Sequence, residues 1–287
     1  MTLVEAPSGA EAFRQRYGPA AIVTGAAQGI GRAFADSLAA RGLSVYLLDV
    51  RAEAVAEAAR EVEEAYPVRA RPLAVDLSRR DFLPDLLQAM KGEGGQGDLG
   101  DLGDVGLVIC NAAIGQEGPF LSEAIDDLHR AVEVNCQSTL TLTHHFGQQM
   151  VERGRGGLLL VASGTALQGS PNFANYAATK AFNLVLGESL WYEFQHHEVD
   201  VLSFVPGPTN TPGLRKSIPS LEEGTEVGPI GLPSTTAESA LEALGKHATA
   251  ARQPGHSNRL ALRRRKADEL IERQQRGQQG REGRDRN

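Results

Sequence analysis

Short, almost wholly apolar runs alternate along the chain with longer stretches whose apolar residues recur every three to four positions. The runs at residues 20–24, 43–49, 69–76, 106–111, 157–163 and 199–205 are the expected strands. Each is nearly continuous in apolar residues instead of alternating, the pattern of strands covered on both faces. Between them, residues 31–41 place Phe34 and Leu38 on one stripe and stop at Gly42, which suits a helix C-cap. Residues 53–64, rich in Ala and Glu, are a second helix. Residues 122–153 read as a long, bent helix and 172–195 as another long one. This alternation predicts an α/β fold: a doubly wound parallel sheet with helices on both faces and right-handed crossovers. Residues 92–104 (GEGGQGDLGDLGD) read as a flexible surface loop. Residues 211–235, rich in Pro and Gly and without periodicity, form a long loop of the kind that is functional or mobile. Residues 277–287 are polar and are expected to be disordered.

Composition narrows the class. With 287 residues, 41% hydrophobic and 23% charged, the chain can bury one large core or two small ones. The 32 glycines follow no period, and no apolar run reaches the length of a membrane span. The N-terminus lacks a basic start followed by an apolar stretch, so no secretory signal is expected. Cys110 and Cys136 are the two cysteines, both within apolar patterns. A disulfide scaffold or four-cysteine zinc site is thereby excluded, and a cytoplasmic setting fits. The net charge of -7 is uneven: residues 251–287 hold 11 Lys and Arg against 5 Asp and Glu, leaving an acidic body. Such a body argues against nucleic acid as a partner.

The first strand runs into Thr24-Gly25-Ala26-Ala27-Gln28-Gly29-Ile30-Gly31. Glycines where a strand turns into a helix let backbone N–H groups approach a pyrophosphate, and the helix dipole adds a positive end. No Lys follows Gly31, which excludes a nucleoside-triphosphate P-loop. The second strand ends in Asp49, 18 residues after Gly31. A carboxylate there can accept both hydroxyls of an adenosine ribose and would repel a 2′-phosphate. Val50 and Gln28 offer that phosphate no cation, and Arg51 is the one nearby candidate. NAD is therefore favoured over NADP.

Tyr176 and Lys180 stand at i and i+4 on the helix after the fifth strand and share a face. A phenol titrates near about 10. A neighbouring ammonium would stabilise its phenolate and fit it for proton exchange with a substrate hydroxyl. Ser163 ends the preceding strand, at the carboxyl edge of the sheet where ligands of such folds bind.

Taken together these residues resemble the short-chain dehydrogenase/reductase family. Its motifs read here as TGAAQGIG (24–31), DL (76–77), NAAIG (111–115), Asn135, Ser163, YAATK (176–180) and PGPTNT (206–211), in order across residues 18–260. The resemblance implies a single Rossmann-type domain over residues 1–260, with a lid at 209–233 and a basic C-terminal helix and tail at 261–287. It implies Tyr176 as acid/base, Ser163 as the group that positions the substrate oxygen, and Lys180 as the residue that lowers the Tyr pKa and binds the nicotinamide ribose. Asn135 would sit at a helix irregularity that holds a water of the proton relay. The cofactor set it implies is Gly25, Gln28, Gly29, Ile30, Gly31, Asp49, Asp76, Leu77, Asn111, Ala112, Ala113, Tyr176, Lys180, Pro206, Gly207, Thr209 and Thr211.

The expected reaction is reversible hydride transfer between NAD(H) and a secondary alcohol or ketone. Residues 114–120, 164–173 and 209–233 should shape the substrate site, which Ile114, Leu167, Phe173, Leu214 and Ile218 make apolar. A lipid-, steroid- or acyl-like substrate fits. One rival is an NADPH-dependent 3-oxoacyl-thioester reductase, which Asp49 disfavours. Another is a nucleotide-sensing regulator without turnover, which the intact tetrad of Asn135, Ser163, Tyr176 and Lys180 disfavours. The pairs His144-His145 and His196-His197 point apart on a helix, so no metal site is expected. No Gly-x-Ser-x-Gly surrounds Ser163, so no hydrolase elbow is expected. Apolar residues on more than one face of 122–153 and 172–195 suggest a homodimer or homotetramer. The stretch 263–266 (RRRK) with Ala267, Leu270 and Ile271 at helical spacing reads as a terminal helix packed on the body, in preference to a membrane contact.

Overall fold

In the computed structural model, residues 7–91, 102–266 and 268 are described. A helix α1 (Ala10–Tyr17) precedes β1 (Ala20–Thr24), α2 (Gly29–Ala40), β2 (Ser44–Asp49), α3 (Ala52–Ala65), β3 (Ala70–Ala74), α4 (Phe82–Lys91) and β4 (Val105–Cys110). There follow α5 (Ile125–Val132), a π-helical turn (Glu133–Gln137), α6 (Ser138–Arg153), β5 (Gly156–Val161), α7 (Ala174–Phe194), β6 (Val199–Val205), α8 (Pro212–Ser217), α9 (Pro233–Ala243) and β7 (Thr249–Ala251). The seven strands lie in the order β3-β2-β1-β4-β5-β6-β7, and every pair is parallel. The order reverses between β1 and β4. That is the switch point, where the carboxyl ends of the strands open a crevice for a ligand.

The continuous apolar runs serve two cores. Ala21, Val23, Val45 and Leu47 join Phe34 and Leu38 on one face of the sheet. Ala20, Ile22, Tyr46 and Leu48 join Leu142 and Phe146 on the other. Successive side chains point to opposite faces, so a strand covered twice needs apolar residues at both parities. All five residues of β1 are buried for this reason.

Several expectations are refined. Strand ends move by a residue or two. The segment 122–153 is not one helix: α5 and α6 are joined through the π-helical turn, which inserts a residue into the ladder and lets the axis shift. The aperiodic stretch 211–235 contains α8 and the start of α9. Thr211 caps α8 by accepting from the Leu214 N–H at 3.2 Å, and Pro212 and Pro233 stand at the first helical positions. Short length hid β7, α1 and α8 from a periodicity argument.

The C-terminal helix begins at residue 254 and continues through 266, across the 260–261 boundary. Leu260 is buried in a cluster with Ala162, Leu184 and Val205. Arg263 makes two hydrogen bonds to Glu188 on α7 (3.1 and 2.6 Å), and Tyr192 donates to Asp268. Charge and apolar groups of this segment thus meet the body of the fold. The expected disordered tail (277–287), Ala267, Leu270, Ile271 and most of the expected 92–104 loop lie outside the described residues. Among the described residues, no helix is long and apolar enough to cross a membrane.

Candidate active site

The turn after β1 is built for close backbone approach. Gly25 and Gly29 hold φ of 67° and 60°, where a Cβ is disfavoured. A Cβ on Gly31 would overlap the Gly25 carbonyl oxygen. Asn111 ties the end of β4 to this turn: its side-chain N–H groups donate to the carbonyls of Thr24 (2.9 Å) and Gly25 (3.4 Å). Thr24 Oγ1 accepts in turn from the backbone N–H groups of Asn111 and Ala112, both at 2.9 Å. The first-turn N–H groups of α2 have no helical acceptor, and Gln28 at the N-cap supplies no side-chain bond to them. This cradle fits a pyrophosphate. Thr211 packs its methyl against Gly29, so the far end of the 206–211 segment also reaches the turn.

At the end of β2, Asp49 is buried. Its carboxylate accepts from Ala27 N–H (3.2 Å), Arg51 N–H (3.2 Å), and Arg51 Nε and a terminal nitrogen (3.0 and 3.1 Å). Burial raises its pKa, but the bonds from Arg51 and Ala27 outweigh that and hold it below the usual carboxylate range. Arg51 also donates to Gln28 Oε1 at 2.8 Å. A cation thus lies directly against the carboxylate expected to repel a 2′-phosphate. Asp76 accepts from the Ser78 N–H and hydroxyl, at 3.0 and 2.7 Å, and Leu77 is buried beside it.

Ser163, Tyr176 and Lys180 converge at the carboxyl end of β5. Ser163 Oγ accepts from the N–H and hydroxyl of Thr165, at 3.3 and 3.0 Å, capping a 3-10 turn (Gly164–Leu167). Burial raises the Tyr176 pKa, and a hydrogen bond with Ser163 opposes that rise. Lys180 is 2% exposed, with Nζ 5.9 Å from the Tyr176 ring centre, and it donates to the Val161 carbonyl at 2.8 Å. Its burial pushes the ammonium down to about 8. In the free protein burial therefore dominates both groups. The phenol is held neutral, and a hydrogen bond from Ser163 eases its ionisation.

Asn135 occupies the π-helical turn, fully buried. Its Oδ1 accepts from Ile114 N–H (2.8 Å), and its Nδ2 donates to the Ile114 carbonyl (3.0 Å) and to Thr179 Oγ1 (2.9 Å). Thr179 Oγ1 donates to the Tyr176 carbonyl at 2.8 Å. The β4 exit, the π-helical turn and the helix bearing Tyr176 are thereby locked together. Thr179 lies inside YAATK, yet nothing in the sequence marks it as the partner of Asn135.

The segment 206–211 lies across the end of β6. Thr209 is buried and donates to Gly207 at 3.0 Å, and it pairs with Gly231 in an isolated parallel bridge. Asn210 Nδ2 donates to the carbonyls of Glu222 and Thr225, both at 2.8 Å, which folds the 209–233 segment back on its root. Across the opening, Ser217 Oγ of α8 donates to Glu117 at 3.2 Å, so the 209–233 and 114–120 segments meet. A separate groove of about 380 Å³, lined by Thr165, Leu167, Gln168, Ala174 and Ala178 among others, includes none of the tetrad residues. No group of three His, Cys, Asp or Glu among the described residues could hold a metal. Burial pushes the Cys110 thiol up to about 12 and that of Cys136 to about 11, which makes both inert.

A parallel sheet with a glycine cradle at its switch point and a Ser-Tyr-Lys set at the adjoining strand end defines a dinucleotide-dependent oxidoreductase. The short chain dehydrogenase family model matches residues 19–221, and the chain belongs to that family, whose members use NAD(P) to act on CH–OH groups. The chain is 33% identical over 237 residues to a 7β-hydroxysteroid dehydrogenase of Clostridium sardiniense, covering 83% of this chain and 86% of that one. A solved structure described as giving insights into 7β-hydroxysteroid dehydrogenase stereoselectivity superposes with a TM-score of 0.74 at 27% identity, covering 85% of this chain and 91% of that one. The human protein named inactive hydroxysteroid dehydrogenase-like protein 1 is 30% identical over 196 residues, covering 67% of this chain and 56% of that one.

Proposed function

We propose that the chain transfers hydride between NAD(H) and an apolar secondary alcohol or ketone of the steroid class. The observation that carries the reaction is the meeting of Ser163, Tyr176 and Lys180 at the carboxyl end of β5, beside the Asn135 turn. The bound dinucleotide supplies the hydride acceptor or donor. Tyr176 Oη gives or takes the proton of the substrate oxygen, and Ser163 Oγ holds that oxygen in line. Lys180, behind the phenol, stabilises its ionised form with its ammonium charge. The π-helical turn at Asn135 would hold a water of the proton relay. Gly25, Gln28, Gly29, Ile30 and Gly31 offer backbone donors to the pyrophosphate. Asp49 receives the ribose hydroxyls, Asp76 and Leu77 flank the adenine, and Asn111, Ala112 and Ala113 carry the middle of the dinucleotide. Pro206, Gly207, Thr209 and Thr211 border the nicotinamide.

Asp49 supports NAD over NADP, whereas Arg51 offers a 2′-phosphate a cation. Arg51 is the observation that keeps an NADPH-dependent 3-oxoacyl-thioester reductase as a second reading. The regulator reading has an inactive-named relative in its favour and the complete tetrad against it. The 7β-hydroxysteroid dehydrogenase relatives support a steroid alcohol. A homo-oligomer fits the apolar side chains on the outer faces of α5, α6 and α7, where Ile125, Leu140, Phe182 and Val185 are exposed. Two unreactive free thiols suit a reducing, cytoplasmic setting.

The deciding experiment follows cofactor reduction with 7β-hydroxysteroids and other apolar secondary alcohols, using NAD and NADP in parallel, and NADPH oxidation with a 3-oxoacyl thioester. Turnover of a steroid alcohol with NAD supports the proposal. Turnover confined to the thioester establishes the second reading, and cofactor binding without any turnover establishes the regulator.

A further inference from the structure

Three glycines in three separate loops of the site are each faced by a side chain from one short segment. A Cβ on Gly164, next to Ser163, would lie 2.6 Å from Cε1 of His256. One on Gly207, next to Pro206, would lie 2.8 Å from Nε2 of Gln253. One on Gly231, the bridge partner of Thr209 at the root of the lid, would overlap the Arg252 guanidinium. The segment is anchored along its length. Arg252 N–H donates to the Val205 carbonyl at 3.3 Å, and its guanidinium donates to Glu226 at 3.3 Å. Gln253 Nε2 donates to Pro229 at 3.3 Å, and the His256 N–H returns to the Gln253 carbonyl at 3.1 Å. Leu260, one turn on, is 1% exposed beside Ala162 and Val205.

We propose that residues 252–256 form a strap across the Ser163, Pro206 and lid-root segments, and that His256, packed on Gly164, is a positioning residue for the Ser163 hydroxyl. Side chains that each fill the space of a missing Cβ fix the backbone beneath them by van der Waals contact, which is lost steeply with a gap of half an ångström. His256 Nδ1 is buried and has no hydrogen-bond partner among the described residues. The ring faces Gly164 with its Cε1–Nε2 edge and acts there by its shape. Burial, and then Arg259, lower its pKa, which keeps it neutral in that place.

This inference rests on the reading of Ser163 as the group that holds the substrate oxygen. Its test compares His256→Ala, His256→Phe, Gly164→Ala and Gly164→Ala/His256→Ala with the parent chain, using a 7β-hydroxysteroid and NAD. His256→Ala should lower kcat about tenfold and leave KM for NAD within about twofold, since a 1 Å misplacement of a reacting group costs on the order of 10²-fold. His256→Phe keeps a flat ring without the unpartnered nitrogen. It should retain kcat within about threefold, with an unchanged pH profile. The two losses should not multiply: the double variant should be no slower than the slower single one. Parent-like kcat in His256→Ala, a His256→Phe as slow as His256→Ala, or multiplying losses would overturn the strap. Where the parent chain turns over no alcohol, the proposed function has failed. The strap is then judged by thermal midpoints of the same proteins, and independent, additive effects of the two sites overturn it.

Discussion

Replacing Lys180 by Met should abolish turnover yet stabilise the cofactor-free protein at neutral pH. Lys180 is buried, and a fall of its pKa from an ordinary 10.5 to about 8 corresponds to a cost of the charged form on the order of 3 kcal/mol. Met has a similar length and no charge, so the substitution removes that penalty. It also removes the bond to the Val161 carbonyl, a loss of about 1–2 kcal/mol. The net expectation at pH 7 is a gain of roughly 1–2 kcal/mol, a rise of a few degrees in the thermal midpoint.

The pH dependence separates the two contributions. A depressed lysine pKa means that, between 8 and 10.5, the unfolded chain binds more protons than the folded one. Stability of the parent therefore climbs with pH through this window. The contribution is complete above the unfolded value and is lost as pH falls through about 8. The Met variant lacks that slope, whereas the lost hydrogen bond is the same at every pH. Urea titrations of both proteins at pH 7, 8.5 and 10 should show the variant's advantage shrinking and then reversing. A variant less stable than the parent by a constant amount from pH 7 to 10 would refute the reasoning. It would mean that the ammonium is compensated in the free protein, and that its burial is not a cost held until cofactor and substrate arrive.

Tyr176→Phe should cost on the order of 10²–10⁴-fold in kcat with NADH binding unchanged by fluorescence titration; parent-like turnover would remove Tyr176 from the mechanism. Arg51→Ala should raise the ratio of kcat/KM for NAD over NADP by losing the one cation near a 2′-phosphate, while Asp49→Ala with Val50→Arg should lower it; equal parent values for the two cofactors would end the assignment of NAD preference to Asp49. Phe182→Glu with Val185→Glu should shift the assembly measured by light scattering toward monomer, and a parent that is monomeric at micromolar concentration would refute the oligomer. Deleting residues 277–287 should leave activity and thermal midpoint unchanged, and a large drop in either would place that tail in the folded enzyme.

Strands were the most legible part of the fold. A strand covered on both faces must be apolar at both parities, so β1, β2, β4, β5 and β6 stand out as runs, whereas their order in the sheet is known from the structure. What stayed hidden was short or dictated by partners. Thr249–Ala251 is three residues long, and its strand identity comes from pairing with Ser203, Phe204 and Val205. The helices α8 and α9 each start on a proline at N1 or N2. Those prolines read as loop punctuation until the cap geometry is known.

The π-helical turn marks where a sequence argument must stop. Asn135 in a helix reads as an ill-suited polar residue, because nothing local says that its amide has partners. The structure supplies them from far along the chain, Ile114 at 21 residues and Thr179 at 44. A fully buried amide without them would cost about 1–3 kcal/mol. With them, the same group fixes the distance between the β4 exit and the helix that carries Tyr176. Asn135→Ala should therefore act in two ways at once. It removes a buried network, lowering stability by about 1–3 kcal/mol, and it frees α7 to shift, lowering kcat. Asn135→Asp keeps the acceptor for the Ile114 N–H but loses both donors, to the Ile114 carbonyl and to Thr179. If the amide serves only as a lock, urea midpoint and kcat should fall together across the two variants. A variant with parent-like stability and strongly reduced kcat would show instead that Asn135 takes part in the proton relay directly.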